Sequence, residues 1–224
     1  IVASLVGSEM CIRDRTKPPH YWKKAKNYLS SKDKVMKNLI KRYDDTTLST
    51  RKDVFYSLCK SIIGQQISVA AANSVYKKFN TACKGKITPQ SVKKLGITKL
   101  KKCGLSKQKA KGIKELSIKF INKSFDPSLI KKMNDEEAIE YLSTLRQIGR
   151  WSAEMILLFT FNRSNIWPVQ DIGLLRAISK NYNKKYLPPM SFVKKLSKIY
   201  SPYCSVATWY LSLIHISEPT RLAT

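Results

Sequence analysis

The sequence is short of acids and almost without histidine: fifteen Asp plus Glu and two His stand against forty-two Lys plus Arg, a formal net charge of +27. No uninterrupted apolar stretch approaches the roughly 20 residues that cross a bilayer, so the chain reads as soluble. No two of the five cysteines, Cys11, Cys59, Cys83, Cys103 and Cys204, form a CxxC pair. Their spacing excludes a zinc ribbon or an iron–sulfur loop, and reduced cytosolic thiols are the default. Between Pro18 and Leu211 there is no sustained apolar/polar alternation, no internal repeat and no low-complexity linker, which excludes a sheet-based fold and a solenoid.

What is present is enough to fold: 224 residues, 43% apolar and 10% aromatic, can bury a real core. A charge of +27 repels itself unless a polyanion is the usual partner, and nucleic acid is the first candidate. A genome rich in A and T would give the same lysine excess, so charge alone does not decide. The two ends are set aside. Residues 1–15 and 212–224 resemble translated sequencing-adaptor DNA, and a signal peptide is a weaker reading of Ile1–Ile12 because no basic residue precedes the apolar run and Glu9 interrupts it. The domain is expected over residues 16–211, with no internal boundary that the sequence defends.

Helical spacing recurs throughout the middle and predicts an all-α fold. Leu58, Ile62 and Ile63 share a face of a helix opening near Arg51, and Val69, Ala72, Val75, Tyr76 and Phe79 line the next after a break near Gly64. Gly85, Pro89, Gly96 and Gly104 punctuate short helices, Ser106 caps a longer one to about Asn122, and Asn134 or Asp135 caps another through Leu145. An apolar helix begins near Trp151 and runs to Phe161, another starts at Asp171, and Pro188 and Pro202 introduce the last two. Many short helices joined by tight turns suggest a compact two-lobed body with a groove.

Three segments carry chemistry. Leu145-Arg146-Gln147-Ile148-Gly149-Arg150-Trp151-Ser152-Ala153 reads as a helix end, a hairpin and a new helix start, and resembles a helix-hairpin-helix motif over residues 145–153. There a glycine lets the backbone approach a phosphate while amides at the second helix's N-terminus bind the anion. Trp167-Pro168-Val169-Gln170-Asp171-Ile172-Gly173 delivers a carboxylate to a helix start. Taken alone, Asp at an N-cap is a common stabilising arrangement worth about 0.5–2 kcal/mol. Together the two segments are similar to the helix-hairpin-helix Gly/Pro/Asp superfamily of DNA glycosylases. The third, Ile62-Ile63-Gly64-Gln65-Gln66-Ile67-Ser68-Val69-Ala70-Ala71-Ala72, narrows the resemblance to the DNA-3-methyladenine glycosylase II group. Gly104-Leu105-Ser106 with Lys109-Ala110, and Ser205-Val206-Ala207-Thr208-Trp209-Tyr210, add to it, so that it spans roughly Asp53 to Leu211.

The resemblance implies a two-lobed helical glycosylase fold and a monofunctional enzyme that hydrolyses the N-glycosidic bond of alkylated purines such as 3-methyladenine in base excision repair. Asp171 occupies the place of the catalytic carboxylate, an anion that stabilises an oxocarbenium-like sugar. Strand-cutting relatives carry a lysine nucleophile where Trp151 stands, and tryptophan cannot form a Schiff base. Trp151 and Met155 are instead implied as walls of the base pocket. Gln66 matches the wedge that fills the gap left by the extruded base, with Gln65 the weaker alternative. Gln147, Gly149, Arg150, Ser106, Lys107, Lys109 and Lys111 are the expected contacts to the DNA backbone. No metal and no obligatory cofactor are implied; a monovalent cation on hairpin carbonyls is compatible with the superfamily, and the side chains neither support nor oppose it. The partner implied is double-stranded DNA containing damaged bases, met by a monomer in the cytoplasm, at the nucleoid of a bacterium or in the nucleus of a eukaryote.

Two departures stand out. Gln147 replaces the hairpin's earlier glycine, at a cost of roughly 1 kcal/mol or more if that position needs positive φ. Ser212 stands where relatives have a further pocket tryptophan. Both features suit a different reading, a non-enzymatic basic DNA-binding module that uses the hairpin as a clamp. A third reading, an RNA- or ribosome-associated protein, rests on charge alone.

Overall fold

The computed structural model describes residues 18–48 and 53–213, and every regular element among them is helical. In chain order these are α1 (Trp22–Lys32), α2 (Lys34–Arg42), α3 (Val54–Gly64), α4 (Val69–Ala82), α5 (Pro89–Lys94), α6 (Ile97–Lys102), α7 (Lys107–Ile121), a 3₁₀ segment (Pro127–Lys132), α8 (Asp135–Ser143), α9 (Arg150–Phe159), α10 (Ile172–Asn181), α11 (Met190–Tyr200) and α12 (Cys204–Ser212). None of these helices is long and apolar enough to cross a membrane. The described residues form two compact units, one from 53–161 and the other from 18–48 with 162–213. The second unit is discontinuous in sequence, with the first inserted into it, which is why no local change of composition marks the boundary.

In the unit of residues 53–161, side-chain caps set the helix starts. Asp53 accepts the Tyr56 N–H at 3.0 Å, Ser68 that of Ala71 at 3.2 Å, and Ser106 that of Lys109 at 3.3 Å. Thr88 and Ser91 form a capping box for α5, with Pro89 in the first turn, and Asn134 and Glu137 form another for α8. α3 therefore opens at Val54, a little after the expected start near Arg51, which lies outside the described residues. α3 is apolar nearly all round and buries Phe55, Leu58, Cys59, Ile62 and Ile63, as befits the central helix of its unit.

α4 departs from expectation. Of its predicted apolar face only Phe79 is buried; Val69 is exposed, and Ala72, Val75 and Tyr76 are half-buried. The helix is docked through its C-terminal end, and Tyr76 is sheltered instead by the Tyr56 ring edge and by the Lys60 ammonium over its face. α8 stops at Ser143 rather than Leu145, because Thr144 and Leu145 already belong to the hairpin. Two lysines of α7 reach the ends of neighbouring helices. Lys114 donates to the carbonyls of Lys93 and Leu95 at the end of α5, and Lys109 does the same for α3. Part of the lysine excess thus complements helix C-termini.

In the other unit Asp33 ends α1 and caps α2 through Met36 N–H at 2.8 Å. α12 is buried along its whole length, and Trp22 stacks on its Tyr210 with ring centroids 5.8 Å apart. Trp209, Tyr200 and Tyr210 of this unit are the bulkiest fully buried side chains among the described residues.

Candidate active site

The hairpin of residues 145–153 is anchored by buried Leu145 and Ile148, with Ile148 N–H donating to Leu145 O at 3.0 Å. Between them Gln147 sits at φ 70, so the conformation that favours glycine is required here and a glutamine bears it. Gly149 has an ordinary φ of −96 and no side chain with which to cap α9. A Cβ on Gly149 would meet nothing within 4 Å. Its value is therefore openness: no side chain caps α9, and the helix dipole favours an anion at its N-terminus. Leu145 O and Gln147 O already accept hydrogen bonds, from Ile148 N–H and from the Gln65 amide, leaving each only its second lone pair for a cation.

Three contacts hold the hairpin to its own unit. Gln65 Nε2 donates to Gln147 O at 2.6 Å and to Ser152 Oγ at 3.3 Å. Arg146 donates to Gln108 Oε1 at 2.6 Å. Gly112, in the middle of α7, leaves space where a Cβ would lie 2.9 Å from Gln147 Cγ. The two glutamines of the turn after α3 thus part company: Gln65 is tied to the hairpin, and Gln66, at φ 56, is exposed.

The candidate backbone contacts also separate. Lys107 and Lys111 are exposed. Lys109 is half-buried and donates inward, to Ile63 O at 2.9 Å and Gln65 O at 2.6 Å, and burial pulls its pKa below the usual lysine value. The Ser106 hydroxyl is engaged as the α7 cap. Arg150 faces outward but is gripped by Glu136 through two bonds of 2.7 and 2.8 Å, and its Nε lies 3.3 Å from Glu154. That pairing holds the Glu136 carboxyl below the usual carboxylate range. Sequence reading missed Glu136, Glu154, Gln108 and Gly112. Only the Arg150–Glu154 pair, four residues apart on one helix, carried a local signal.

Trp151 is half-buried at the start of α9, and Met155, one turn on, is buried. In the other unit Asp171 caps α10: its Oδ1 accepts the Leu174 N–H at 2.8 Å while its own N–H donates to Pro168 O at 2.9 Å. The residue is 2% exposed. The segment leading to it is fastened from two sides. Trp167 Nε1 donates to Val193 O at 3.2 Å, and the Ser205 hydroxyl accepts Ile166 N–H at 2.9 Å while donating to Arg163 O at 2.5 Å. The chain running up to Asp171 is therefore held on α11 and α12, with Ser205 of the motif as one of its anchors. Ser212 is buried at the end of α12, its hydroxyl donating to Thr208 O at 2.6 Å.

Among the described residues no group of three or more His, Cys, Asp or Glu side chains is placed to hold a metal. Cys59, Cys83, Cys103 and Cys204 are free and buried, and burial raises the pKa of each, that of Cys204 to about 12. They are packing residues rather than nucleophiles.

Residues 59–202 match the HhH-GPD superfamily, described as a base excision DNA repair protein family. The chain is 32% identical over 196 residues to the alkylbase DNA glycosidase-like protein mag2 of Schizosaccharomyces pombe, covering 85% of this chain and 92% of that one. Among solved structures it resembles the 3-methyladenine DNA glycosylase Mag1 of the same yeast in complex with abasic DNA, with a TM-score of 0.73, 26% identity, and 85% and 95% of the two chains covered. It also resembles the DNA-3-methyladenine glycosidase of Bacillus halodurans, with a TM-score of 0.74, 25% identity, and 84% and 87% covered. Matched by the family over most of its described length and built on the same helical fold, the chain belongs to the HhH-GPD superfamily of base excision DNA repair proteins.

Proposed function

We propose that the protein is a monofunctional DNA glycosylase of the DNA-3-methyladenine glycosylase II type, acting as a monomer on alkylated purines in duplex DNA. The observation that carries this reading is the carboxylate of Asp171, fixed at the start of α10 by its cap bond to Leu174 in a chain otherwise similar to alkyl-base glycosylases. As the C1′–N bond breaks, positive charge grows on the deoxyribose, and a fixed anion there lowers the barrier. Water then bonds to C1′ and gives up a proton, for which Asp171 is the acceptor. A purine alkylated on a ring nitrogen is already cationic, keeps the electron pair of the broken bond and departs neutral, so the reaction needs no general acid.

Trp151 supports the rest of the reading. Half-buried at the helix start, its ring suits stacking on an electron-poor base, worth about 0.5–2 kcal/mol. Without an amine at that position no Schiff base forms, so the abasic strand is left uncut. The uncapped N-terminus of α9 and the exposed Lys107 and Lys111 supply phosphate contacts, and exposed Gln66 fills the gap left by the base. The non-enzymatic clamp is not favoured, since relatives matched over nearly their full length bear glycosylase or glycosidase-like names. Incubation with methylated duplex DNA and chromatography of the released bases tests the proposal. Release of methylated purines with the strand intact is expected, whereas tight duplex binding without any release would return the clamp to first place.

A further inference from the structure

Lys109 joins two parts of the first unit that the proposed reaction uses separately. Its ammonium, in the first turn of α7, donates to Ile63 O and Gln65 O at the end of α3. Gln65 in turn donates from Nε2 to Gln147 O in the hairpin. Its neighbour Gln66 and Gln147 itself both hold positive φ without being glycine, at 56 and 70. Such conformations persist only where surrounding contacts over-determine them. Here those contacts converge on α7: Lys109 from one turn, and Gly112 from the next, where the missing side chain admits Gln147. The exposed lysines on either side, Lys107 and Lys111, take no part in the chain of bonds.

We infer that Lys109 is a positioning residue rather than a phosphate contact, and that through Gln65 it sets the Gln66 turn in register with the hairpin. The inference rests on the proposed function, in which Gln66 fills the vacated gap while the hairpin holds the strand beside it. A fixed spacing between plug and clamp determines whether the plug meets the gap when the phosphate is seated. Lys109 is well suited to this because both its acceptors are backbone carbonyls, which cannot turn away as side chains do.

The test uses a duplex with a tetrahydrofuran abasic analogue opposite 2-aminopurine, whose fluorescence rises when the opposing base loses its stacking. Affinity is read across a salt series with the same duplex. The wild-type protein is expected to bind with a rise in fluorescence. Lys109→Met should keep the salt slope and cut the inserted population about tenfold, in keeping with loss of a charge-assisted bond. Lys109→Arg, which still offers two donors, should recover most of the rise. Lys107→Met and Lys111→Met should do the opposite, flattening the log–log slope by about 0.9 each while leaving the rise in place. If Lys109→Met does not fold, Gln65→Leu breaks the same chain one bond further on and should lose the rise at unchanged slope. A Lys109→Met or Gln65→Leu protein with a full rise, or a Lys109→Met slope flattened like that of Lys107→Met, overturns the inference. A wild-type protein that binds without any rise instead sinks the reading of Gln66 on which it stands.

Discussion

Gly112 of α7 lies directly against Gln147 of the hairpin, so closely that a Cβ on the glycine would come within 2.9 Å of the glutamine Cγ. A glycine inside a helix ordinarily weakens it by about 1 kcal/mol relative to alanine. Here that weakness is the condition for seating the hairpin against the body of the unit.

Gly112→Ala should therefore destabilise the protein despite the better helix former, since overpacking of this kind costs ~1–3 kcal/mol. Duplex binding should weaken with it as the hairpin moves outward. Thermal unfolding and salt-dependent binding measure both. The double variant Gly112→Ala/Gln147→Gly removes the atoms that clash and should be more stable than Gly112→Ala alone by more than Gln147→Gly adds by itself; strictly additive effects would contradict the contact.

Gln147→Gly alone should stabilise the native state by about 1 kcal/mol, because φ 70 no longer opposes a Cβ. A rise in the thermal midpoint of a few degrees is expected for a chain of this size. A fall would mean that side-chain packing on α7 outweighs the backbone strain.

Arg150 reaches a phosphate only by leaving Glu136. Glu136→Gln should leave it only the Nε contact with Glu154, tightening duplex binding at low salt and steepening the log–log salt slope by up to about 0.9. Stability should change by less than about 1 kcal/mol, since the Glu136 side chain is 64% exposed. The pH dependence has a definite sign. Arg150 lowers the folded-state pKa of Glu136, so the pair's contribution is present above the unfolded value near 4.3 and is lost as pH falls through the depressed folded value. An unchanged slope in Glu136→Gln would remove Arg150 from the phosphate contacts.

Alkali should loosen the fold. Burial raises the pKa of Cys59, Cys83, Cys103 and Cys204, and of Tyr21 and Tyr200. Such acids keep their protons in the folded state after the unfolded chain has lost them. Stability is then full below the unfolded values, near 8.5 for thiols and 10 for phenols, and declines as pH rises beyond them. The midpoint of unfolding should fall steadily above about pH 9. At pH 8 these four thiols should resist a disulfide reagent until denaturant is added; ready labelling of the native protein would contradict their burial.

Much of this was legible where the determinants are local. Ser106 and Asn122 bound α7 because a hydroxyl cap and a helix-ending amide act over one turn, and Asp171 stands at its helix start for the same reason. The α4 face was misjudged because periodicity marks which residues share a face and not whether anything covers it; Val69 stays exposed. Lys109 reads as a phosphate contact until α3 is seen ending beside it. Gly112 carries no signal in the sequence, and its role shows only in the hairpin resting on it. In each case the missing information is a contact between segments far apart in the chain.

In the proposed function the Asp171 carboxylate performs the chemistry as well as capping α10. Asp171→Asn keeps a side-chain oxygen to accept the Leu174 N–H while removing the anion, so fold and DNA affinity should survive with release of methylated purines from duplex DNA abolished. Release at the wild-type rate from a folded Asp171→Asn protein would leave the residue a helix cap and nothing more.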